Sequence, residues 1–109
     1  MTVENFNKQL GFEILSMPAP EREITGAYVG DLLSWVMGKA EEGCVWITIM
    51  TNVNVVAVAS LRDVSLVLLT ENVEIEKEVV ATAIDKGVNL LRTPLTTYAA
   101  AKKISGLIP

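Results

Sequence analysis

The chain has 109 residues, half of them hydrophobic, and a net charge of −4 at pH 7. This length fits one domain with a substantial core, and the nine scattered basic residues argue against a nucleic-acid partner. The sequence lacks histidine, the commonest general base and zinc ligand, and no apolar run reaches the ~20 residues that span a bilayer.

The cellular compartment is indicated by the cysteine count and the N-terminus. Cys44 is the single cysteine, which rules out an internal disulfide and fits a reducing environment. Met1–Glu4 has neither the charged nor the apolar region of a signal peptide. We therefore expect a cytoplasmic protein without a membrane partner.

The first segments in chain order are a helix and a strand. Thr2 is suited to cap a short helix that Gly11 ends, and Phe12–Ser16 alternates as a strand. Met17–Pro20 contains two prolines and is predicted to be a connector.

A second strand and helix follow. Arg22–Thr25 is predicted to be a short strand, with Gly26 and Gly30 in the loop after it. Asp31 is predicted to be the N-cap of a helix that Glu41–Gly43 closes.

The centre of the chain contains two strongly apolar strands, Val45–Met50 and Val64–Leu69. The second is apolar on both faces apart from Ser65, which is typical of a strand covered on both sides in a parallel sheet. Between them, the valines of Asn54–Leu61 favour a strand by propensity. The alternative is a buried helix capped by Asn52, which would make a short strand–helix–strand crossover.

The last third follows the same alternation. Glu76–Lys86 is an amphipathic helix and Val88–Leu91 a strand. Thr93 is predicted to cap, and Pro94 to open, a final helix. The whole pattern predicts an α/β fold: a single three-layer α/β/α domain over residues 1–109, with a mostly parallel sheet of about four to five strands.

Sequence motifs for catalysis are absent. The chain has no phosphate-binding loop and no Gly-x-Gly-x-x-Gly, and Cys44 has no histidine to activate it. The acidic run is predicted to be a solvated loop and the first turn of a helix rather than a metal site; it contains Glu71, Glu74, Glu76 and Glu78. We therefore expect no enzyme activity, no catalytic residues, no metal and no cofactor.

Polar side chains follow the predicted parallel strands, whose carboxyl ends form the usual ligand crevice of such sheets. The ligand-binding candidates are Thr51, Asn52, Asn54, Thr70, Asn72, Thr93 and Thr97. Most of them also lie next to the start of a predicted helix, so the alternative is that they serve only as caps.

Trp35 lies off the apolar stripe of its predicted helix. Its side chain either folds back over the edge of the core or contacts a second subunit. Together with the high apolar content of the chain, this makes Trp35 the candidate for a dimer interface.

Three parts of the chain together resemble the DRTGG domain family. The resemblance is carried by Gly43–Asn72, by the helix from Glu76 with the ending Thr97–Pro109, and by Leu10–Leu15 with Tyr28–Leu33. It implies an α/β/α module related to the N-terminal domain of HPr kinase/phosphorylase, found alone or as a regulatory insert in CBS-containing pyrophosphatases and in phosphotransacetylases. It also implies dimerisation, adenine-nucleotide regulation in some members, and a helix for Asn54–Leu61.

The chain departs from the family pattern at three places. The Gly-Asp-Arg of the family corresponds to Thr51–Val53, its Thr-Gly-Gly to Thr70–Asn72, and its Asp-Thr-Phe to Thr96–Tyr98. The missing arginine removes the obvious phosphate contact, and the two replaced glycines put side chains where a backbone could have approached a ligand.

The sequence thus predicts a non-catalytic regulatory module that acts as a homodimer and binds a small polar ligand, a nucleotide-like molecule being one such ligand, or a partner enzyme. The alternative is a protein–protein interaction domain without a small-molecule ligand, whose polar loops are only caps.

Overall fold

The computed structural model describes residues 1–109 and contains five helices and five strands. In chain order they are α1 (Val3–Leu10), β1 (Glu13–Ser16), β2 (Gly26–Val29), α2 (Leu33–Lys39), β3 (Cys44–Thr48), α3 (Val53–Arg62), β4 (Leu66–Leu69), α4 (Lys77–Asp85), β5 (Leu90–Arg92) and α5 (Thr97–Ser105).

The strands form one sheet in the order β1-β5-β4-β3-β2. The strands β2 to β5 are parallel to their neighbours, and β1 joins the β5 edge antiparallel. Every residue of β3 and β4 is buried, as expected for central strands covered on both faces. The predicted mostly parallel sheet is confirmed.

Helices cover both faces of the sheet. Because β2, β3, β4 and β5 follow one another in a single direction, the three helices that connect them pack on the same face. Val36 of α2, Val56 of α3 and Ala83 of α4 share one core there, while Phe6 of α1 and Ile104 of α5 belong to the core of the opposite face. The predicted three-layer α/β/α architecture is confirmed.

Residues 54–61 are helical, which is the alternative that the resemblance favoured. The Asn52 side chain accepts a hydrogen bond from the backbone N–H of Asn54, and α3 buries Val55, Val56, Val58 and Ala59 against the sheet. The valines fit a helix here because a parallel β3–β4 pair requires a crossover between the strands. Tertiary structure therefore overrides their strand propensity.

The second strand is Gly26–Val29, so the prediction of a strand at Arg22–Thr25 and a loop at Gly26 is wrong. The earlier segment pairs instead with the N-terminus, where the Ile24 N–H donates to the Met1 carbonyl at 2.8 Å. The strand begins only where Gly26 comes into register with Cys44 of β3.

Two predicted helix starts are also wrong. The N-cap of α2 is Leu32, without a side-chain hydrogen bond, because the Asp31 carboxylate is turned to β3. Helix α5 begins at Thr97 and is capped by Thr96, whereas Thr93 makes a local turn in which its hydroxyl accepts from the Leu95 N–H at 3.2 Å.

The proline-containing connector is fixed to the sheet by a buried amide. Asn89 accepts from the Ala19 N–H at 3.0 Å and donates to the carbonyls of Ala19 and Ser65 at 2.7 and 2.9 Å. These bonds join the connector to the residues directly before β4 and β5. None of the five helices has the length and apolar content needed to cross a membrane.

Candidate functional site

The carboxyl ends of four parallel strands lie along one edge of the sheet. The loops leaving this edge are residues 30–32 after β2, 49–52 after β3, 70–76 after β4 and 93–96 after β5. The sequence analysis predicted the last three. It missed the first because it placed the second strand too early in the chain.

A cavity of about 610 Å³ opens between the start of α3 and the β4–α4 segment. Thr51 and Asn52, both predicted ligand-binding candidates, line one side together with Val53. The other side is formed by the loop before α4 and by the first turns of that helix. This is the largest of the four cavities in the molecule.

The side of the cavity formed by α4 and its preceding loop is acidic. Glu74, Glu76 and Glu78 line it, together with Ile75, Val79 and Thr82. The sequence analysis assigned these glutamates to a solvated loop and a helix start. Nothing in the local pattern shows that α4 packs beside α3, which is what brings the carboxylates opposite Asn52.

Asn52 has a structural role that is independent of any ligand. Its Oδ1 accepts from the Asn54 N–H at 2.9 Å and so caps α3. Asn54 contributes this backbone group, and its exposed side chain is not part of the cavity lining. Of the candidates near α3, the structure therefore brings Thr51 and Asn52 to the cavity and leaves Asn54 outside it.

The remaining candidates form a separate cluster between the ends of β4 and β5. Thr70 and Thr93 are buried, and the hydroxyls of Thr70 and Thr97 are 2.7 Å apart. The Asn72 N–H donates to the Thr93 carbonyl at 3.1 Å. None of these four residues lines the 610 Å³ cavity, so the seven candidates do not share a single site.

Glu71 completes this threonine cluster. Its carboxylate accepts from the Thr97 N–H at 2.9 Å, at the first residue of α5, and its own N–H donates to the Leu95 carbonyl at 2.8 Å. The helices after β4 and β5 pack on opposite faces of the sheet, and a crevice at such a point commonly holds a ligand. In this chain the Glu71 carboxylate lies at the N-terminus of α5.

Glu71 and Asn72 both adopt left-handed backbone conformations, with φ of 63° and 53°. Such conformations are unfavourable for residues with a Cβ, except that asparagine tolerates them better than most. These are the two positions at which the resemblance has glycine. The backbone shape of the loop therefore explains the Gly-Gly of the pattern.

Asp31 is a polar residue of this edge that the sequence analysis treated only as a helix cap. Its Oδ1 accepts from the Thr48 hydroxyl at 2.8 Å and from the Ile49 N–H at 3.1 Å. It thereby fixes the loop after β3 next to the loop after β2. An aspartate two residues after the end of a strand is the only sequence signal of this role.

Two titratable groups are perturbed, and neither lines the cavity. Burial raises the pKa of the Cys44 thiol, at the start of β3. The pKa of Arg92 is raised by its hydrogen bonds to the Glu13 carboxylate, at 3.0 Å from both Nε and Nη2. The acidic side chains of the molecule do not gather into a group that could hold a metal ion.

The architecture defines an open three-layer α/β module whose polar loops lie at the carboxyl ends of four parallel strands. The profile of the DRTGG domain matches residues 8–107. The chain belongs to the DRTGG domain family, and the resemblance noted in the sequence is confirmed.

A solved structure has the same fold. It contains the CBS and DRTGG domains of the regulatory region of Clostridium perfringens pyrophosphatase, complexed with an activator, diadenosine tetraphosphate. The TM-score is 0.75 at 18% sequence identity, and the match covers 99% of this chain and 47% of that one. The present chain thus spans about half the length of that solved chain. A comparison with curated protein sequences finds no match.

Proposed function

We propose that this chain is a non-catalytic regulatory module that binds a small polar molecule in the cavity between α3 and α4 and acts as a homodimer. The observation that carries the proposal is the cavity itself. It lies at the carboxyl ends of the parallel strands, where α/β sheets usually bind ligands, and its volume of about 610 Å³ is in the range of small-molecule sites.

The regulatory role is supported by the family. In the pyrophosphatase, the DRTGG domain is part of a regulatory region that was solved with a nucleotide activator. A nucleotide-like molecule is therefore one class of ligand to test here. A partner enzyme, joined or separate, is the natural target of a module that has no chemistry of its own.

The absence of catalysis is supported by the residues available. The chain has no histidine, and its one thiol, Cys44, is buried with a raised pKa, which keeps it in the unreactive protonated form. A free thiol is also consistent with the cytoplasmic location that we propose.

The proposed homodimer is supported by the unpaired edge of β2 and by exposed apolar side chains on β2 and α2. Strand β2 pairs only with β3, so its outer edge is unpaired, and Val29 at its end is 50% exposed. Trp35, on the helix that follows, is 57% exposed, with the Lys39 ammonium 4.3 Å from its ring centroid. An unprotected edge strand and exposed large apolar side chains are typical of surfaces covered by a second subunit.

A second candidate function is a protein–protein interaction domain without a small-molecule ligand. Two observations favour it. Asn52 already serves as a cap, and the Thr70, Thr97 and Glu71 groups are hydrogen-bonded to one another. In that case the polar loops act only as caps, and the exposed side at β2 is the functional surface.

Thermal-shift screening of Asn52 variants tests the choice between these functions. Asn52→Ala removes the cap and is expected to cost about 1 kcal/mol of unfolding free energy, whereas Asn52→Asp keeps a cap and adds a negative charge. If the cavity is the site, compounds that stabilise the wild type change their effect in Asn52→Asp although its stability is restored: anionic compounds lose it and cationic ones gain. Equal shifts in all three proteins would contradict the proposal and favour the interaction domain.

A further inference from the structure

We propose that the outer edge of β2 binds β2 of a second copy of this chain, antiparallel and about a two-fold axis at Ala27. This pairing joins the two five-stranded sheets into one continuous sheet. The inference rests on the homodimer proposed above, because it assigns the surface and the strand register of that contact.

The backbone groups of two β2 residues point out of the sheet. The Thr25 N–H donates to the Gly43 carbonyl at 2.9 Å, and successive residues of a strand direct these groups alternately to its two sides. Ala27 therefore also faces β3, whereas the N–H and C=O groups of Gly26 and Tyr28 face away from it. The sheet has no strand on that side, and an unpaired edge is a template for a further strand.

The backbone groups on either side of β2 are already bonded within the chain. The Ile24 N–H donates to the Met1 carbonyl at 2.8 Å. The Gly30 N–H donates to the Ile47 carbonyl at 3.1 Å, and the Gly30 carbonyl accepts from Trp46 Nε1 at 2.8 Å. A ladder with a second copy can therefore use only the outward groups of β2.

These limits define the register. With the axis at Ala27, Gly26 of each copy lies opposite Tyr28 of the other, and each such pair exchanges two hydrogen bonds. Every outward N–H and C=O group is then paired. An axis at Gly26 or at Tyr28 would pair that residue with itself and leave the groups of the other unpaired. The Ala27 register is therefore the one that satisfies the whole edge.

The composition of β2 permits a contact between identical surfaces. Edge strands are commonly protected by charged residues, prolines or bulges, and residues 26–29 have no charge, no proline and an unbroken register with β3. Two copies that each carry a net charge of −4 repel each other, so the contact needs a surface on which like charges do not meet. The strand β2 offers such a surface.

Two cavities flank the edge of β2, one on each face of the sheet. The cavity of about 340 Å³ lies on the α5 face and is lined by apolar side chains, among them Val29 and Ile108, without a charged one. The cavity of about 320 Å³ on the opposite face contains one base and one acid, Lys39 and Glu41, and neither forms a salt bridge within the chain. A surface that carries both signs of charge complements itself when it meets a second copy.

The ladder of a four-residue strand needs flanking surface to hold a dimer. An interface of standard size buries about 800 Å² of each partner, about a seventh of the 5679 Å² of accessible surface here. Val29 and Trp35 supply exposed apolar surface, and the Lys39 ammonium lies 4.3 Å from the Trp35 ring centroid. Because Lys39 also lines a cavity beside β2, Trp35 belongs to the same side of the molecule.

The test is disulfide crosslinking of two variants that each add one cysteine to β2. In the proposed register the two Ala27 residues form a non-hydrogen-bonded pair with Cα atoms about 4.5 Å apart, which a disulfide can span. Ala27→Cys is therefore expected to form a covalent dimer when oxidised with copper phenanthroline, as read by mass spectrometry without reductant. The wild type, whose Cys44 is buried, gives the background.

Val29→Cys is the matched control. Val29 lies in the same strand and is also exposed, but in this register it lies opposite Thr25 of the second copy. The two Val29 Cα atoms are then about 14 Å apart, too far for a disulfide. This variant is expected to stay at the background level.

Proline at Gly26 tests the ladder without a new thiol. Gly26→Pro removes one outward N–H from each copy, and an edge strand tolerates proline at such a position. The dimer dissociation constant, measured by sedimentation equilibrium, should rise at least about tenfold, since two hydrogen bonds are lost. Gly26→Ala keeps the N–H, and no atom lies within 4 Å of its added Cβ, so this control should dimerise as the wild type does.

The outcomes separate the strand pairing from the homodimer itself. If the wild type sediments as a dimer but Ala27→Cys does not crosslink, or crosslinks no more than Val29→Cys, the pairing is overturned and the homodimer stands. Equal dissociation constants for Gly26→Pro and Gly26→Ala would also overturn the pairing alone. A monomeric wild type would overturn both.

Discussion

At the scale of single residues, the loop after β4 shows how a strained backbone is retained. Glu71 and Asn72 both have positive φ, although neither is glycine. Hydrogen bonds from their N–H groups to Leu95 and Thr93 hold this shape, and the Glu71 carboxylate adds a bond to Thr97. The sequence analysis could see that glycines were replaced, but not that the replacements would keep the same backbone.

Substitution of Asn72 tests this interpretation. Asn72→Gly is expected to change the unfolding free energy by less than about 1 kcal/mol, because both residues tolerate the left-handed region. Asn72→Val should cost about 1–2 kcal/mol, since a β-branched side chain clashes there. Urea denaturation of the three proteins measures the difference. Equal stability of the glycine and valine variants would contradict it.

Cys44 makes the unfolding free energy of the protein depend on pH in the alkaline range. Its pKa is raised in the folded chain by burial, so above about pH 8.5 the unfolded chain loses the thiol proton while the folded chain keeps it. The contribution of this thiol to the unfolding free energy is therefore complete at neutral pH. It decreases as the pH rises through the pKa that the thiol has in the unfolded chain.

The comparison with Cys44→Ala isolates this effect. The variant is expected to be less stable at pH 7 because a buried atom is lost, but to show a smaller loss of unfolding free energy between pH 8 and 10. Denaturation curves across that range provide the measurement. Parallel pH profiles for the two proteins would show that Cys44 makes no such contribution.

At the scale of elements, the architecture could be predicted from the sequence better than the boundaries. The apolar β3 and β4 indicated a sheet covered on both faces, and that was correct. Local propensity favoured a strand for residues 54–61, and only the resemblance favoured the helix. Two errors, at β2 and at the start of α5, have one cause: pairing partners and caps are chosen by tertiary contacts that local patterns do not contain.

Asn89 is a buried amide that joins the proline-containing connector to the sheet. It makes three hydrogen bonds to the backbone of the connector and of the residue before β4. Asn89→Ala should cost about 2–4 kcal/mol, because buried partners are left unpaired. Asn5→Ala, which removes an exposed side chain without hydrogen bonds of its own, is the control and should change little. Similar denaturation midpoints for both variants would refute this role.

At the scale of the whole molecule, the candidate site is only partly predictable. The rule that loops meet at the carboxyl ends of parallel strands led to this edge of the sheet, where Thr51 and Asn52 line a cavity. The rule could not separate this cavity from the hydrogen-bonded cluster around Thr70. It also gave no sign that Glu74, Glu76 and Glu78 would lie opposite Asn52, because that depends on how α4 packs beside α3.

The proposed homodimer predicts that self-association depends on Trp35. Trp35→Ala is expected to raise the dimer dissociation constant at least about tenfold, as is common for an aromatic residue central to an interface. Tyr98→Ala is the matched control, since Tyr98 is 76% exposed on α5, a helix of the opposite face. Sedimentation equilibrium at micromolar concentration gives both constants. A monomeric wild type would exclude the dimer.

The central claim is that the cavity between α3 and α4 is a ligand site, and amide NMR mapping tests it most directly. A library of small polar molecules of both charges would be added to the ¹⁵N-labelled chain, and the residues with shifted signals identified. The account predicts that bound compounds shift residues 51–53 and 74–82, and that Asn52→Asp weakens the binding of anionic compounds and strengthens that of cationic ones. Shifts confined to the β2 edge, or to the cluster of Thr70, Thr93 and Thr97, would contradict it.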